Sequence, residues 1–340
     1  MARVGLVVNP AAGRDIRRLT GGASVVDNHA KRRVAECVLD GLTFVDDPPD
    51  VELMPDRTGI ADHAVAEAPA GLSVEQVEMP VEESAADTRR AAAHFRDRAD
   101  VVVVLGGDGT SRDAALELGD VPMVSVSTGT NNVVPTPVDG TVAGAAAAVV
   151  ATGVVDAGAA TYRHGAVEAR ADGVNGEKRL TGLAAVEITD RSFVGTRAVI
   201  DPAELLGGVV SRAHPSEIGL SCVAGCIDPV APDAPGGAAL RLGDPDDAAR
   251  RVRAIVAPGM TTTVGVASHE PLGWGEPATF QVSDVVVGAD GEREIEVVDA
   301  TVEIAPVADG PRLVDVDAAL EAAAEAGVLY RDEAAIEDRR

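Results

Sequence analysis

The run Val101-Val102-Val103-Val104-Leu105-Gly106-Gly107-Asp108-Gly109-Thr110 constrains the fold more than any other stretch of the chain. Four valines and a leucine, preceded by polar Arg98 and Asp100, predict a short strand buried on both faces, as a central strand of a parallel sheet is. Three glycines then turn the chain into 111–118, where Ala114, Ala115 and Leu118 recur at helical spacing. The stretch therefore predicts a strand-turn-helix unit. Gly106, Gly107 and Gly109 tolerate positive φ and, lacking side chains, let a ligand approach the backbone. The free N–H groups and positive dipole end of the following helix point at the same place, so the turn suits phosphate. An aspartate there repels phosphate unless magnesium screens it, or unless Asp108 takes a proton from a hydroxyl that attacks phosphate. Asp-Gly is also ordinary turn chemistry, but the whole run directly after a hydrophobic strand is a rarer combination.

The flanking sequence predicts more units of this kind. Residues 4–8 read as a buried strand that ends in Asn9-Pro10 and a small-residue turn, and such ends line the ligand crevice of an open parallel sheet. Strands are predicted over 51–55 and, as an edge, 73–79, with helices over 59–67 and 85–96. Another buried strand, 121–126, runs into Ser127-Thr128-Gly129-Thr130-Asn131-Asn132-Val133-Val134-Pro135. Its Thr, Gly and Asn chemistry suits ribose hydroxyls, phosphate oxygens or an adenine edge. Two such turns after adjacent strands would face each other across one crevice. Two basic clusters lie nearby, Arg14, Arg17 and Arg18, then Lys31, Arg32 and Arg33 in the first turn of a helix over 29–42. A phosphate contact and a solvated helix face are both open readings for them. An alanine-rich helix over 141–150 closes this half.

These turns resemble motifs of the NAD kinase, diacylglycerol kinase and phosphofructokinase group. Gly106 to Thr110 is similar to that group's signature, whose loop binds nucleotide phosphate and ribose and whose aspartate is taken to be the base. Asn9-Pro10 followed by Gly13 resembles an opening turn that lies beside the nucleotide. The run from Ser127 to Asn132, then Pro135 and Thr141-Val142-Ala143-Gly144, looks most like the NAD kinase branch named for acetoin-catabolism protein X. NAD kinases generally carry Asn-x-Gly in this second turn and lipid kinases Gly-Thr-Gly-Asn-Asp. Here Ser127 stands where the first asparagine would be, and Asn132 where the acidic residue would be. Glu187 falls where NAD kinases have an Asn-Glu pair that contacts the nucleoside, with Val186 replacing the asparagine. Asp290-Gly291-Glu292 resembles a turn near the end of these kinases and reads equally well as a hairpin turn.

Beyond Gly153 the texture changes to strands broken by Gly, Pro and Asp turns: 154–168, 180–189, 197–200, 219–223, 239–242, 251–256, 261–266, 278–282 and 301–306. The expected architecture is an α/β N-terminal domain with an open, mostly parallel sheet over 1–153 and an all-β domain over 154–310. A last helical segment, 311–340, should pack back on the first domain. Hydrophobic content of 46% with 2% aromatic residues means a core of Val, Ala, Leu and Ile.

Charge narrows the function. A formal net charge of −26 argues against nucleic-acid and anionic-membrane partners. With Lys31 and Lys178 the only lysines, a P-loop Gly-Lys-Ser/Thr is absent, so any ATP is held in another way. Acidic excess with scarce lysine suits a halophilic protein kept soluble in concentrated salt. Cys37, Cys222 and Cys226 form neither a disulfide framework nor a zinc spacing, and the histidines show no ligand spacing. No segment has the length of a membrane span or the form of a signal peptide, so a cytoplasmic protein is expected; a homo-oligomer is expected as well.

The resemblance implies a phosphotransferase that moves phosphate from ATP, or from another energy-rich phosphate such as polyphosphate, to the adenosine 2′-hydroxyl of NAD. Asp108 would be the base, with Gly106, Gly107, Gly109 and Thr110 at phosphate. Asn9, Thr128, Gly129, Thr130, Asn131, Asn132 and Glu187 would line the nucleotide site. Magnesium would enter with ATP, and neither a resident metal nor a permanent cofactor is expected. The alternatives are a kinase of another small hydroxyl metabolite or lipid, and a dinucleotide-binding regulator without chemistry.

Overall fold

The computed structural model describes residues 1–12, 26–128, 132–174, 176–190, 202–257 and 259–330. In chain order the first elements are β1 (Arg3–Val8), α1 (Asn28–Leu42), β2 (Asp50–Leu53), α2 (Ile60–Ala66), β3 (Val74–Gln76) and α3 (Ala85–Phe95). Next come β4 (Val101–Gly106), α4 (Asp108–Leu118), β5 (Met123–Ser127), α5 (Gly140–Ala151) and β6 (Thr161–Arg163). The second half holds β7 (Ala166–Gly173), β8 (Gly176–Gly182), β9 (Ala185–Asp190), β10 (Leu205–Val210), α6 (Gly219–Gly225) and β11 (Gly237–Gly243). It continues with β12 (Arg250–Ala257), β13 (Met260–Leu272), β14 (Ala278–Ala289), β15 (Glu292–Val307), β16 (Arg312–Val314) and α7 (Val316–Glu325).

The first sheet runs β3-β2-β1-β4-β5-β16-β6, parallel except where β6 meets β16. Period-two alternation sorts its residues. Val101, Val103 and Leu105 pack with α1, α2, α5 and α7, whereas Val102 and Val104 face α3 and α4. Both faces are covered, which is why β4 is an unbroken apolar run. From β1 the chain winds outward through β2 and β3, then returns to place β4 on the other side of β1. The order therefore reverses between β1 and β4, the place where open α/β sheets bind ligands.

Small residues let α1 and α5 touch at backbone distance. A Cβ on Gly144 would lie 2.2 Å from the Val38 carbonyl oxygen, and one on Gly41 would lie 2.1 Å from that of Thr141. At the C-terminus β16 adds to the first sheet, and Val314, Ala319 and Ala323 join its core through α7.

The second sheet is antiparallel, in the order β12-β13-β11-β10-β9-β14-β15-β7-β8. Val186 and Ile188 of β9 pack on one face, whereas Ala185 lies on the other with Leu220 and Val223 of α6.

Several local expectations change. Residues 219–223 form part of helix α6 and not a strand, since a short buried apolar run has no period that tells the two apart. The predicted strand over 154–168 is two: β6 belongs to the first sheet, and the chain turns at His164-Gly165 before β7. Strand β10 escapes the sequence pattern because Gly207 and Gly208 interrupt it. Both have positive φ, and a Cβ on Gly208 would lie 2.1 Å from the Val186 carbonyl oxygen. The strand expected over 197–200 lies outside the described residues.

Candidate active site

The switch between β1 and β4 is bridged at once by Asn9. Its backbone N–H donates to Leu105 O at 3.1 Å, and its side-chain amide donates to the Thr110 hydroxyl at 2.8 Å. The first turn is thereby tied to the glycine turn. Thr110 is buried and folds back beneath Gly106, where a Cβ would lie 2.4 Å from the Thr110 Cβ. Gly106 is small for this reason. None of Gly106, Gly107 and Gly109 has positive φ, so the expected conformational role gives way to a steric one. At Gly109 the nearest obstacle to a Cβ is the Glu292 carboxylate, at 3.3 Å.

Helix α4 starts at Asp108 itself, earlier than the apolar spacing predicts, with Gly107 as an N-cap that offers no side-chain hydrogen bond. Its N-terminal amides receive no hydrogen bond from the cap residue's side chain, an arrangement that leaves donors able to face an anion. The buried Asp108 carboxylate accepts the Val133 N–H at 2.9 Å and the Val134 N–H at 2.8 Å. It binds the second turn onto the first through these two amides. Thr128, whose N–H donates to Gly106 O, begins that turn, and its buried hydroxyl has no partner among the described residues. Asn132 donates to Ser127 Oγ at 2.6 Å, while its buried Oδ1 also has no partner among the described residues. Gly129, Thr130 and Asn131 lie outside the described residues.

The basic clusters resolve differently. Arg14, Arg17 and Arg18 lie outside the described residues. Lys31 is fully buried and donates to Pro10 O at 2.6 Å, and Arg32 donates to Thr58 O at 2.9 Å. Lys31 therefore braces the Asn9-Pro10 turn from inside and is no solvated helix face.

Glu187 on β9 is buried, and its carboxyl accepts the Gly291 N–H at 2.7 Å. Burial, reinforced by the Asp290 carboxylate, pushes its pKa up to about 8, so it is mostly protonated at neutral pH. It holds the hairpin turn between β14 and β15. Asp290 does the same from within that turn, its carboxylate accepting the N–H groups of Leu183, Ala184 and Ala185 at 3.0, 2.8 and 3.2 Å. Arg112, one turn into α4, reaches across to this hairpin with Nη1 on Ala289 O at 2.9 Å and Nη2 on Glu294 Oε1 at 2.5 Å. Arg112 and Glu294 join the two domains beside this turn and were not singled out by sequence reasoning, whereas Glu292 was, within its turn. The Asp290-Gly291-Glu292 resemblance was the signal for the hairpin, whereas nothing local marks an arginine inside a helix.

A glycine turn at the switch point of a parallel sheet, met by a hairpin from an antiparallel domain, defines the NAD kinase-like class of fold. Residues 4–154 match the family model of the ATP-NAD kinase N-terminal domain, and residues 167–309 that of the acetoin catabolism protein X C-terminal domain. Acetoin catabolism protein X of Cupriavidus necator is 35% identical over 301 residues, 86% of this chain and 84% of the relative. The chain belongs to the acetoin catabolism protein X family. Among solved structures, yeast NADH kinase complexed with NADH gives a TM-score of 0.46 at 11% identity, over 92% of this chain and 83% of that one. A diacylglycerol kinase from Bacillus anthracis gives 0.38 at 14% identity, over 92% and 96%. Among the described residues no helix is long and apolar enough to cross a membrane.

Proposed function

We propose that the protein is a phosphotransferase of the NAD kinase type, moving the terminal phosphoryl group of ATP to the adenosine 2′-hydroxyl of NAD to give NADP. The observation that carries this reading is the buried Asp108 at the first position of a helix with no side-chain cap, at the sheet's switch point. The α4 amides would receive phosphate, and Asp108 would orient the acceptor hydroxyl and take its proton as the new bond forms. The Val133 and Val134 amides would hold the Asp108 carboxylate in place for that role. Thr128 and Asn132, with buried oxygens that have no partner among the described residues, would meet ribose or base. Magnesium would enter with ATP as part of the substrate. There it would neutralise the transferred charge. Polyphosphate would reach the same cradle as donor.

One observation favours a second acceptor. Glu187 is committed to the Gly291 amide, and a kinase of another small hydroxyl metabolite would need no nucleoside contact from it. The test is purified protein in concentrated KCl with ATP, magnesium, and NAD, NADH or other hydroxyl acceptors, reading ADP and product mass. NADP formation supports the proposal. Binding of ATP with no acceptor phosphorylated would refute it.

A further inference from the structure

We infer that Arg112 is a positioning residue that sets how closely the β-domain hairpin seats on the phosphate turn. Arg112 lies one helical turn beyond Asp108, and both are buried. Its guanidinium serves partners that all belong to the hairpin: Ala289 O, Glu294 and, at 3.7 Å, the Asp290 carboxylate. Burial opposes its charge, but Asp290 and Glu294 outweigh that cost and raise its pKa above the ordinary value. The hairpin turn has little freedom of its own. Asp290 sits at φ +53°, a conformation that costs a non-glycine residue about 1 kcal/mol or more, and is kept there by the Leu183, Ala184 and Ala185 amides. Glu187 pins the next residue. Glu292 follows, and its carboxylate lies against Gly109. A displacement of α4 relative to Ala289 therefore moves Gly109 relative to Glu292.

The physical case for position over stability is that a buried ion pair gains little over apolar packing of the same volume. What a guanidinium adds is a rigid fork that fixes direction and distance, and lysine cannot supply it. The structure thus assigns Arg112 to the fit between two domains, beyond the phosphotransfer reading on which its kinetic consequence rests.

The test compares wild type with Arg112→Lys and, as a milder variant at the half-exposed partner, Glu294→Gln. Backbone hydrogen exchange is read by mass spectrometry beside turnover. Expected for Arg112→Lys is faster exchange, by roughly ten-fold, in peptides covering 183–190 and 286–296, because hairpin and β9 loosen together. Glu294→Gln should shift the same peptides less. Turnover should fall about ten-fold or more with the KM for ATP nearly unchanged. Faster exchange confined to 108–118 would assign Arg112 to helix stability alone, and no change would leave it with neither role; either result overturns the inference, as would equal loss of turnover and affinity. If wild type phosphorylates no acceptor, the phosphotransfer reading fails on that result, and exchange in the two peptides still decides the role of Arg112.

Discussion

Replacing Glu187 by Gln tests whether a buried, protonated carboxyl holds the hairpin against β9. In the folded protein the pKa is about 8, against an ordinary 4.5, with burial the main cause and Asp290 next. The fold therefore binds a proton between these pH values that the unfolded chain releases. Stability falls as pH rises wherever the folded state holds more protons, so the loss runs from about pH 4.5 to about pH 8 and then levels. At about 1.4 kcal/mol per unit, three and a half units give a ceiling of roughly 5 kcal/mol. Water entry and adjustment of the turn reduce this, and roughly 2 to 5 kcal/mol is expected. Gln retains an oxygen for the Gly291 N–H but carries no charge at any pH. Wild type should thus match or exceed Glu187→Gln at pH 5 and fall behind it by that amount at pH 9. Arg112 and Asp290 face the same carboxyl and are present in both proteins, so the difference isolates Glu187. The assay is urea unfolding of both at fixed high salt from pH 5 to pH 9. A stability difference that stays within about 0.5 kcal/mol across the range would refute the reasoning, because Glu187 would then be ionised or wetted in the fold.

Asp108→Asn should preserve helical content but place an NH₂ group against the Val133 and Val134 donors, and turnover should drop about 10²- to 10⁴-fold. An Asn variant within a few-fold of wild type removes Asp108 from the chemistry. Gly144→Ala forces a methyl to 2.2 Å from the Val38 carbonyl and should cost about 1 to 3 kcal/mol in denaturant unfolding, whereas an unchanged midpoint would mean that α1 and α5 are not in backbone contact. With a net charge of −26 the thermal midpoint should rise between dilute buffer and molar KCl, and a flat or falling midpoint would mean that the acidic surface is already compensated.

The sequence by itself determined the units. A run of β-branched valines favours a strand buried on both faces, paired glycines end it, and Ala and Leu at helical spacing build a helix beyond it. These signals are local, so the strand and the helix beyond it were legible, although the helix begins at Asp108, three residues before the apolar spacing places it. What the glycines do was not legible, because it depends on neighbours distant in sequence. Gly109 faces Glu292, and Gly144 faces Val38. The placement of β6 and β16 in the first sheet, and of α6 where a strand was expected, likewise rests on which surface each segment covers. Only the tertiary structure brought Arg112 to Ala289 and Glu294, and turned Glu187 to Gly291. The reason is physical: hydrogen bonds between residues more than a hundred positions apart leave no period in the chain, since they follow from how two sheets meet.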